Sequence, residues 1–250
     1  MTKTIKLFLF LAFATLSLVG CKKDEKEDPP KPSGNIEVEV INQVDGAPAQ
    51  SGVMYTHPLG TQYSFNLLKY LLTNWELVND KGETYRPGNY ELIDALNPAT
   101  CKMNFDSIPA GNYTKIRFFL GMDSLSNYTL ANYGDLDASN GMVWTWSTGY
   151  IFLKLEGEFI NMDGEETPLI YHFGTMRAQV RYELPLNNLK IDGNTRKLRM
   201  YFNLNEIFRN PDSINLNEYS NQQSFAAKDI PWLASLSANL LDAFTIEIAE

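Results

Sequence analysis

The sequence predicts an all-β domain, an irregular antiparallel β-sandwich with short helices, one of them near the C-terminus. Short runs alternate apolar with polar residues, and Val, Ile, Tyr and Phe are frequent in them. Gly, Asn, Asp and Pro separate these runs at spacings of about 10 to 20 residues, close to those of a sandwich or barrel. The body shows no internal repeat and no second linker, so we expect one domain over residues 35–250.

The individual runs fix the expected elements. Residues 36–40 alternate cleanly, and the later strand runs cover residues 101–105, 115–120, 181–184, 197–204 and 244–248. Two helical pieces are expected, one turn over 203–208 and a short helix over 231–241 with Asp229 as its cap. Cys101 shares a strand face with Met103 and Phe105, so we expect a buried small side chain, with a reactive thiol as the alternative.

The N-terminus predicts a lipoprotein signal peptide over residues 1–20. Lys3 and Lys6 precede an apolar run over 7–18 that is too short to span a bilayer stably. The run ends in Leu18-Val19-Gly20-Cys21, which resembles a bacterial lipobox and implies cleavage before Cys21 and its lipidation. Lipid chains would then anchor the protein to the membrane. A plain signal peptide with an incidental cysteine is the alternative.

Residues 21–34 are expected to be the lipidated cysteine followed by a tether. Residues 22–32 contain charged residues and proline but no other apolar side chain, so they favour an extended, solvated chain. The lysine-then-acid run after Cys21 resembles the surface-export signal of Bacteroidota-type lipoproteins. This implies outward display on the outer membrane, with a periplasm-facing lipoprotein as the alternative.

Composition excludes several classes of function. A hydrophobic content of 44% excludes wholesale disorder, and 30 acidic against 21 basic residues, without a basic stripe, argue against nucleic acid. The two histidines and the one cysteine outside the leader cannot form a zinc site of four cysteines or of two cysteines and two histidines. The chain contains no His-Glu-x-x-His, no Gly-x-Ser-x-Gly and no phosphate-binding glycine loop. We therefore expect no catalysis.

Two acidic motifs favour structure over chemistry. Residues 135–141 resemble the start of an EF-hand loop, but the glycine comes one place late and position twelve is Trp146, so an Asx-rich turn is favoured. Glu156 and Glu158 lie two apart on one predicted strand, which does not set two carboxylates across a sugar.

The candidate chemistry lies between residues 141 and 174. In an extended segment Met142, Trp144 and Trp146 project to one face, where core packing is their ordinary role. His172 lies in the apolar run 170–174, and composition alone favours a buried core histidine over a ligand. His57 lies in a predicted loop.

These residues belong to a longer pattern. It comprises Asp123, Gly134-x-Leu136-Asp137, Gly141-Met142-x-Trp144-x-Trp146-x-x-Gly149-Tyr150-x-Phe152, Glu156-Gly157 and Tyr171-His172-x-Gly174, with upstream stretches at 65–77 and 108–113. The pattern resembles the MbnP-like domain family over roughly residues 35–250. The family is named for a protein of methanobactin (copper-chelator) operons and is related to copper-repressible surface proteins.

The resemblance implies an irregular β-sandwich at the cell surface or in the periplasm that holds copper through histidines. It also implies a tryptophan oxidised to kynurenine by a di-haem peroxidase-like partner. His172 matches the family's His-x-Gly and is the first candidate ligand, and Trp144 is the candidate for oxidation, with Trp146 as the alternative and Met142 beside them. His57 is either a second ligand or an exposed loop residue. Two histidines are fewer than the methanotroph relatives use.

Copper chemistry still permits a site with so few histidines, because Cu(I) accepts two or three soft ligands. Met54, Met142 and Met176 lie near the candidate residues in the sequence, although filling gaps in the core is the ordinary role of each. We therefore expect a non-catalytic cell-envelope lipoprotein that binds copper or a related metal. The alternative is a surface module that binds glycan or a partner protein without metal.

Overall fold

The structure is a computed structural model that describes residues 32–88, 90–129, 133–145, 149–224 and 231–249. All of these belong to one compact unit. The predictions that lie outside the described residues are the signal peptide over 1–20, lipidation at Cys21, the tether up to residue 31, the alternative tryptophan Trp146 and the helix cap Asp229.

Strands dominate the described chain, with short helical pieces between them. The strands are β1 Ser33–Val44, β2 Ala47–Pro48, β3 Tyr55–Thr56, β4 Gln62–Asn79, β5 Thr84–Tyr85, β6 Tyr90–Asp94, β7 Lys102–Pro109, β8 Gly111–Leu120, β9 Val143–Thr145, β10 Gly149–Ile160, β11 Glu166–Gly174, β12 Val180–Ile191, β13 Thr195–Asn203, β14 Asn221–Gln223 and β15 Phe244–Ala249. The helices are α1 Ser124–Tyr128 and α2 Pro231–Leu240, and 3₁₀ turns cover Gly134–Leu136, Ala138–Asn140, Met176–Ala178 and Leu204–Phe208.

The strands form two sheets, which confirms the predicted all-β sandwich. Within the described residues the smaller sheet has the order β15-β13-β1-β2, with β7 also paired to β1. The larger has the order β12-β8-β4-β10-β11-β14, with β3, β5 and β6 on β4 and β9 on β10. Two ladders, β1 with β13 and β11 with β14, are parallel, so the sandwich is not wholly antiparallel.

The sheets pack through their inner faces, as alternation in the sequence predicts. In β1 the side chains of Ile36, Val38 and Val40 are buried, while Glu37 and Glu39 between them are exposed. The two sheets meet through aromatic rings. Centroids lie 4.8 Å apart for Tyr70 and Phe202, and 5.5 Å apart for Phe118 and Phe244. The core therefore lies between β4 and β8 on one side and β13 and β15 on the other.

Most predicted elements occur where expected. The run over 197–204 ends one residue early, because the Asn203 side chain accepts a hydrogen bond from the N–H of Asn205 and caps the 3₁₀ turn that follows. Cys101 is buried, as predicted, and burial raises the pKa of its thiol, which disfavours the reactive thiolate. β1 begins at Ser33, inside the segment assigned to the tether.

Gly157 allows β10 and β4 to approach closely where their register shifts. A Cβ atom at this position would lie 2.1 Å from the carbonyl oxygen of Ser64 and 2.6 Å from the Cα of Phe65. These are backbone atoms, so no side-chain rotation relieves the clash. The absence of a side chain at Gly157 therefore allows β10, the strand that carries Glu156, to pair closely with β4.

We expect Gly157→Ala to lower the free energy of unfolding by about 1–3 kcal/mol, because the added methyl group forces the two backbones apart. Urea unfolding followed by tryptophan fluorescence measures the loss. Gly111→Ala is the matched control, since the nearest atom to a Cβ there is a Tyr113 ring carbon at 4.0 Å. An equal loss in both variants would contradict the assigned role of Gly157.

Candidate functional site

His172 lies on the outer face of the larger sheet. Its neighbours Tyr171 and Phe173 are fully buried, and successive strand residues point to opposite faces, so the imidazole points outward with its side chain 15% exposed. His172 is therefore half-buried on the outer face and lies outside the core between the sheets. An apolar run in a strand does not by itself reveal that one of its faces is open.

A carboxylate orients the His172 ring. Nε2 lies 2.7 Å from Oε1 of Glu156, which is on β10, the neighbouring strand. An ionised carboxylate only accepts hydrogen bonds, so Nε2 carries the proton and donates. The structure shows no hydrogen bond to Nδ1 within the described residues, which leaves that nitrogen as the ring's acceptor.

Lys154 completes this group. Its Nζ lies 3.4 Å from the same oxygen of Glu156 and 3.5 Å from the carbonyl oxygen of Gly141. Partial burial opposes ionisation of Glu156, but the hydrogen bond from His172 and the charge of Lys154 outweigh it and hold the pKa of Glu156 below its usual value. The carboxylate is therefore ionised at neutral pH.

Trp144 packs against Gly174, two residues along β11 from His172. A Cβ atom at Gly174 would meet the Trp144 ring at 2.8 Å (Cζ3) and 2.9 Å (Cη2), so the glycine makes room for the indole. Gly174 is two residues from His172 and shares its strand face. The structure thus pairs Glu156 with His172 on the outer face and packs Trp144 against Gly174, two residues from His172 on the same strand.

The loop before Trp144 is held by short polar contacts. The carboxylate of Asp137 accepts a hydrogen bond from the Ser139 N–H at 2.8 Å, so this segment is the Asx-rich turn the sequence favoured over an EF-hand. Gly149 has a φ of 83° and packs against the Asn127 side chain. The side-chain oxygen of Asn127 accepts a hydrogen bond from the N–H of Tyr150. Met142 is buried in the core and points away from solvent.

His57 is a buried residue, so the expectation of an exposed loop residue is wrong. It is 1% exposed, its ring centroid lies 4.7 Å from that of Phe208, and its Nδ1 accepts from the Leu59 N–H at 3.0 Å. Burial lowers the pKa of His57 to about 4, against an opposing contribution from the Ile214 backbone. The imidazole is therefore neutral at physiological pH.

The two histidines lie on opposite faces of the larger sheet. Phe208, which packs on His57, also contacts Tyr171 on the inner face, at 5.9 Å between centroids. His172 follows Tyr171 in the same strand and points the other way. Within the described residues, no group of three or more His, Cys, Asp and Glu side chains is arranged to hold a metal ion. The histidine-rich copper site that the resemblance implies does not fit this chain.

The residue that sequence reasoning missed is Glu156 as the partner of His172. The sequence contained one signal, because Glu156-Gly157 and His172-x-Gly174 both belong to the family pattern. The pairing itself depends on the β10–β11 register, which sets Lys154 opposite His172. The candidate site is therefore one oriented imidazole beside one tryptophan.

The buried His57 predicts a pH dependence of stability. The unfolded chain takes up a proton near pH 6.5 that the folded chain resists down to about pH 4, so stability falls as the pH is lowered through this interval. The expected loss is roughly 3 kcal/mol. In His57→Asn, whose side chain can still accept from the Leu59 N–H, this part of the loss disappears. His172→Gln retains it, and urea unfolding at several pH values measures both.

A family model described as MbnP matches residues 33–226 of this chain. Among solved structures, MbnP from Methylosinus trichosporium matches with a TM-score of 0.56 and 15% identity, covering 86% of this chain and 99% of that chain, which shows a shared fold. A comparison with curated proteins finds no match. Because the family model covers well over half of the 250 residues, the chain belongs to the MbnP family.

Proposed function

We propose that this protein is a non-catalytic binding protein of the cell envelope that holds copper or a related metal ion through His172. The observation that carries the proposal is the oriented imidazole of His172, hydrogen-bonded to Glu156 at 2.7 Å and placed beside Trp144. Histidines that bind metals commonly donate their second ring N–H to a carboxylate, which fixes the ring and raises its basicity. Imidazole nitrogen suits copper.

The proposed site is open and incomplete. Nδ1 of His172 supplies one ligand, and the other ligands come from solvent or from a second molecule, so the metal is exchanged rather than buried. Trp144, which packs against Gly174 two residues from His172, would lie near a bound ion without supplying a ligand. If a di-haem peroxidase-like partner oxidises Trp144 to kynurenine, as the resemblance implies, the new carbonyl and aniline nitrogen lie beside His172.

The proposal places the protein at the outer membrane through lipid chains on Cys21. The lipobox and the charged tether over 22–34 support this anchor and display on the cell surface, with a periplasm-facing arrangement as the alternative. Among the described residues, no helix has the length and apolarity needed to cross a bilayer.

Copper titration of the chain tests the site. His172→Gln should weaken Cu(II) binding at least about tenfold, since it removes the ligand, and Glu156→Gln should weaken it about tenfold, since it loosens the ring. Glu158→Gln is the matched control, because Glu158 is exposed two residues further along β10 and should leave the affinity unchanged. Equal affinity of His172→Gln and the parent would refute the assignment of His172.

Mass spectrometry of protein purified from its native host tests the oxidation. We expect fragmentation of the peptide that contains Trp144 and Trp146 to locate the mass of kynurenine on Trp144, because this side chain is partly exposed. Protein made in a host without a di-haem peroxidase is the control and should contain unmodified tryptophan. An unmodified peptide from the native host removes kynurenine from the proposal.

The second candidate function is a surface module that binds a glycan or a partner protein without metal. The position of Lys154 favours it, because its ammonium group already neutralises Glu156 at 3.4 Å. Exposed apolar side chains also occur near the Trp144 loop, with Leu125 78% and Tyr133 87% exposed. If the chain binds neither Cu(I) nor Cu(II), this candidate is favoured over the first.

A further inference from the structure

A second site lies on the outer face of the larger sheet, in a cavity of about 470 Å³ that the metal proposal does not use. We call it the arginine pocket, because Arg86, Arg117 and Arg181 line it, together with Phe119 and Glu76. Its volume falls in the range of small-molecule sites. Three guanidinium groups in one cavity are unexpected in a chain whose net charge is −9.

Strand register brings the arginines together. Arg117 lies opposite Glu76 in the β8–β4 ladder, and Arg181 lies opposite Phe119 in the β12–β8 ladder. Ile116, Phe118 and Leu120 of β8 are buried, so Arg117 and Phe119 between them point outward into the pocket. The cluster is therefore held by rigid strands rather than by a loop.

Two of the three arginines already have carboxylate partners. Arg86 lies 2.6 Å from Glu76, and Arg117 lies 2.7 Å from Glu183 and 3.7 Å from Glu76. These pairs fix both guanidinium groups and leave little of their charge for a ligand.

Arg181 differs. It forms no ion pair within the described part of the chain, and its guanidinium carbon lies 5.9 Å from the Phe119 ring centroid. The ring positions this guanidinium without neutralising it.

We infer that the arginine pocket binds a small organic monocarboxylate, whose carboxylate pairs with Arg181. The planar guanidinium fork matches a carboxylate in two parallel hydrogen bonds. The charged side chains in the pocket and paired with it are four cations, Arg86, Arg117, Arg181 and the Lys115 that shares Glu183, against the three anions Glu76, Asp123 and Glu183, so a single negative charge balances them. A dianion such as phosphate would leave an uncompensated negative charge beside Glu76.

Polar groups at the rim suit the rest of such a ligand. The amide of Asn74 and the hydroxyl of Tyr90 line the same cavity, and the hydroxyl already donates to the Asp123 carboxylate at 2.9 Å. A hydroxylated or amide-bearing carboxylate fits these groups better than a fatty acid. Two sources share this chemistry, a sugar acid and an acidic amino-acid side chain.

Calorimetric titration of the full chain with glucuronate and with the α-amide of N-acetylglutamate, which keeps only the side-chain carboxylate, tests the inference, with glucose as the neutral control. We expect at least one carboxylate to bind, glucose not to bind, and Arg181→Gln to weaken binding at least about tenfold. Arg181→Lys should recover part of the affinity, since it keeps the charge but loses the fork. Tighter binding of glucuronate assigns a sugar acid, and tighter binding of the N-acetylglutamate α-amide assigns an acidic side chain.

Arg199→Gln is the matched control. Arg199 is an exposed strand arginine on the smaller sheet, 3.7 Å from Glu247, and its replacement should leave the affinity unchanged. Failure of both carboxylates to bind, or an Arg181→Gln variant that binds as well as the parent, would overturn the inference. His172→Gln should bind the carboxylate normally, so failure of the metal proposal leaves this test intact.

Discussion

The packing of aromatic rings between the two sheets is the constraint on which both candidate sites depend. The Phe118 ring lies 4.7 Å from Trp75, 4.8 Å from Tyr182 and 5.5 Å from Phe244, between centroids. Each buried ring contributes about 2–3 kcal/mol, and a one-residue slip of a strand would move its whole set into water. Register is therefore fixed. The residues between the buried rings, Arg117 among them, point outward for that reason.

The same alternation explains how much of the fold the sequence could predict. Runs such as residues 36–40 reveal a strand and its buried face, because that information is local. The parallel pairing of β1 with β13 joins residues more than 150 positions apart, and no local pattern encodes it. Asn74, at a φ of 55°, marks a register shift between β4 and β8 that only the packing of both strands determines.

The residues of the candidate site also differ in how far the sequence could predict them. Trp144 and His172 could be found in the sequence because a family pattern contains them, and the structure places both on one face. Composition suggested a core position for His172, which is half-buried on the outer face, and the loop position of His57 left open an exposed residue, whereas His57 is buried. His57 is covered by Phe208, about 150 residues later in the chain, and Tyr171 and Phe173 occupy the inner face that His172 would need. Whether a single histidine is buried depends on the tertiary packing around it and not on the local sequence.

The two outer faces of the sandwich differ in how their charges are balanced. On the smaller sheet several charges face an opposite one across a ladder, as in Glu37 with Lys197 at 3.4 Å and Glu39 with Lys102 at 3.8 Å. Such exposed pairs contribute little to stability, but they neutralise the charges that form them. On the larger sheet, Arg181 has an aromatic ring instead of a carboxylate, and His172 keeps one nitrogen free of hydrogen bonds within the described residues. Ligands are recognised by groups that the fold leaves unsatisfied, so the larger sheet is the face on which binding is to be sought.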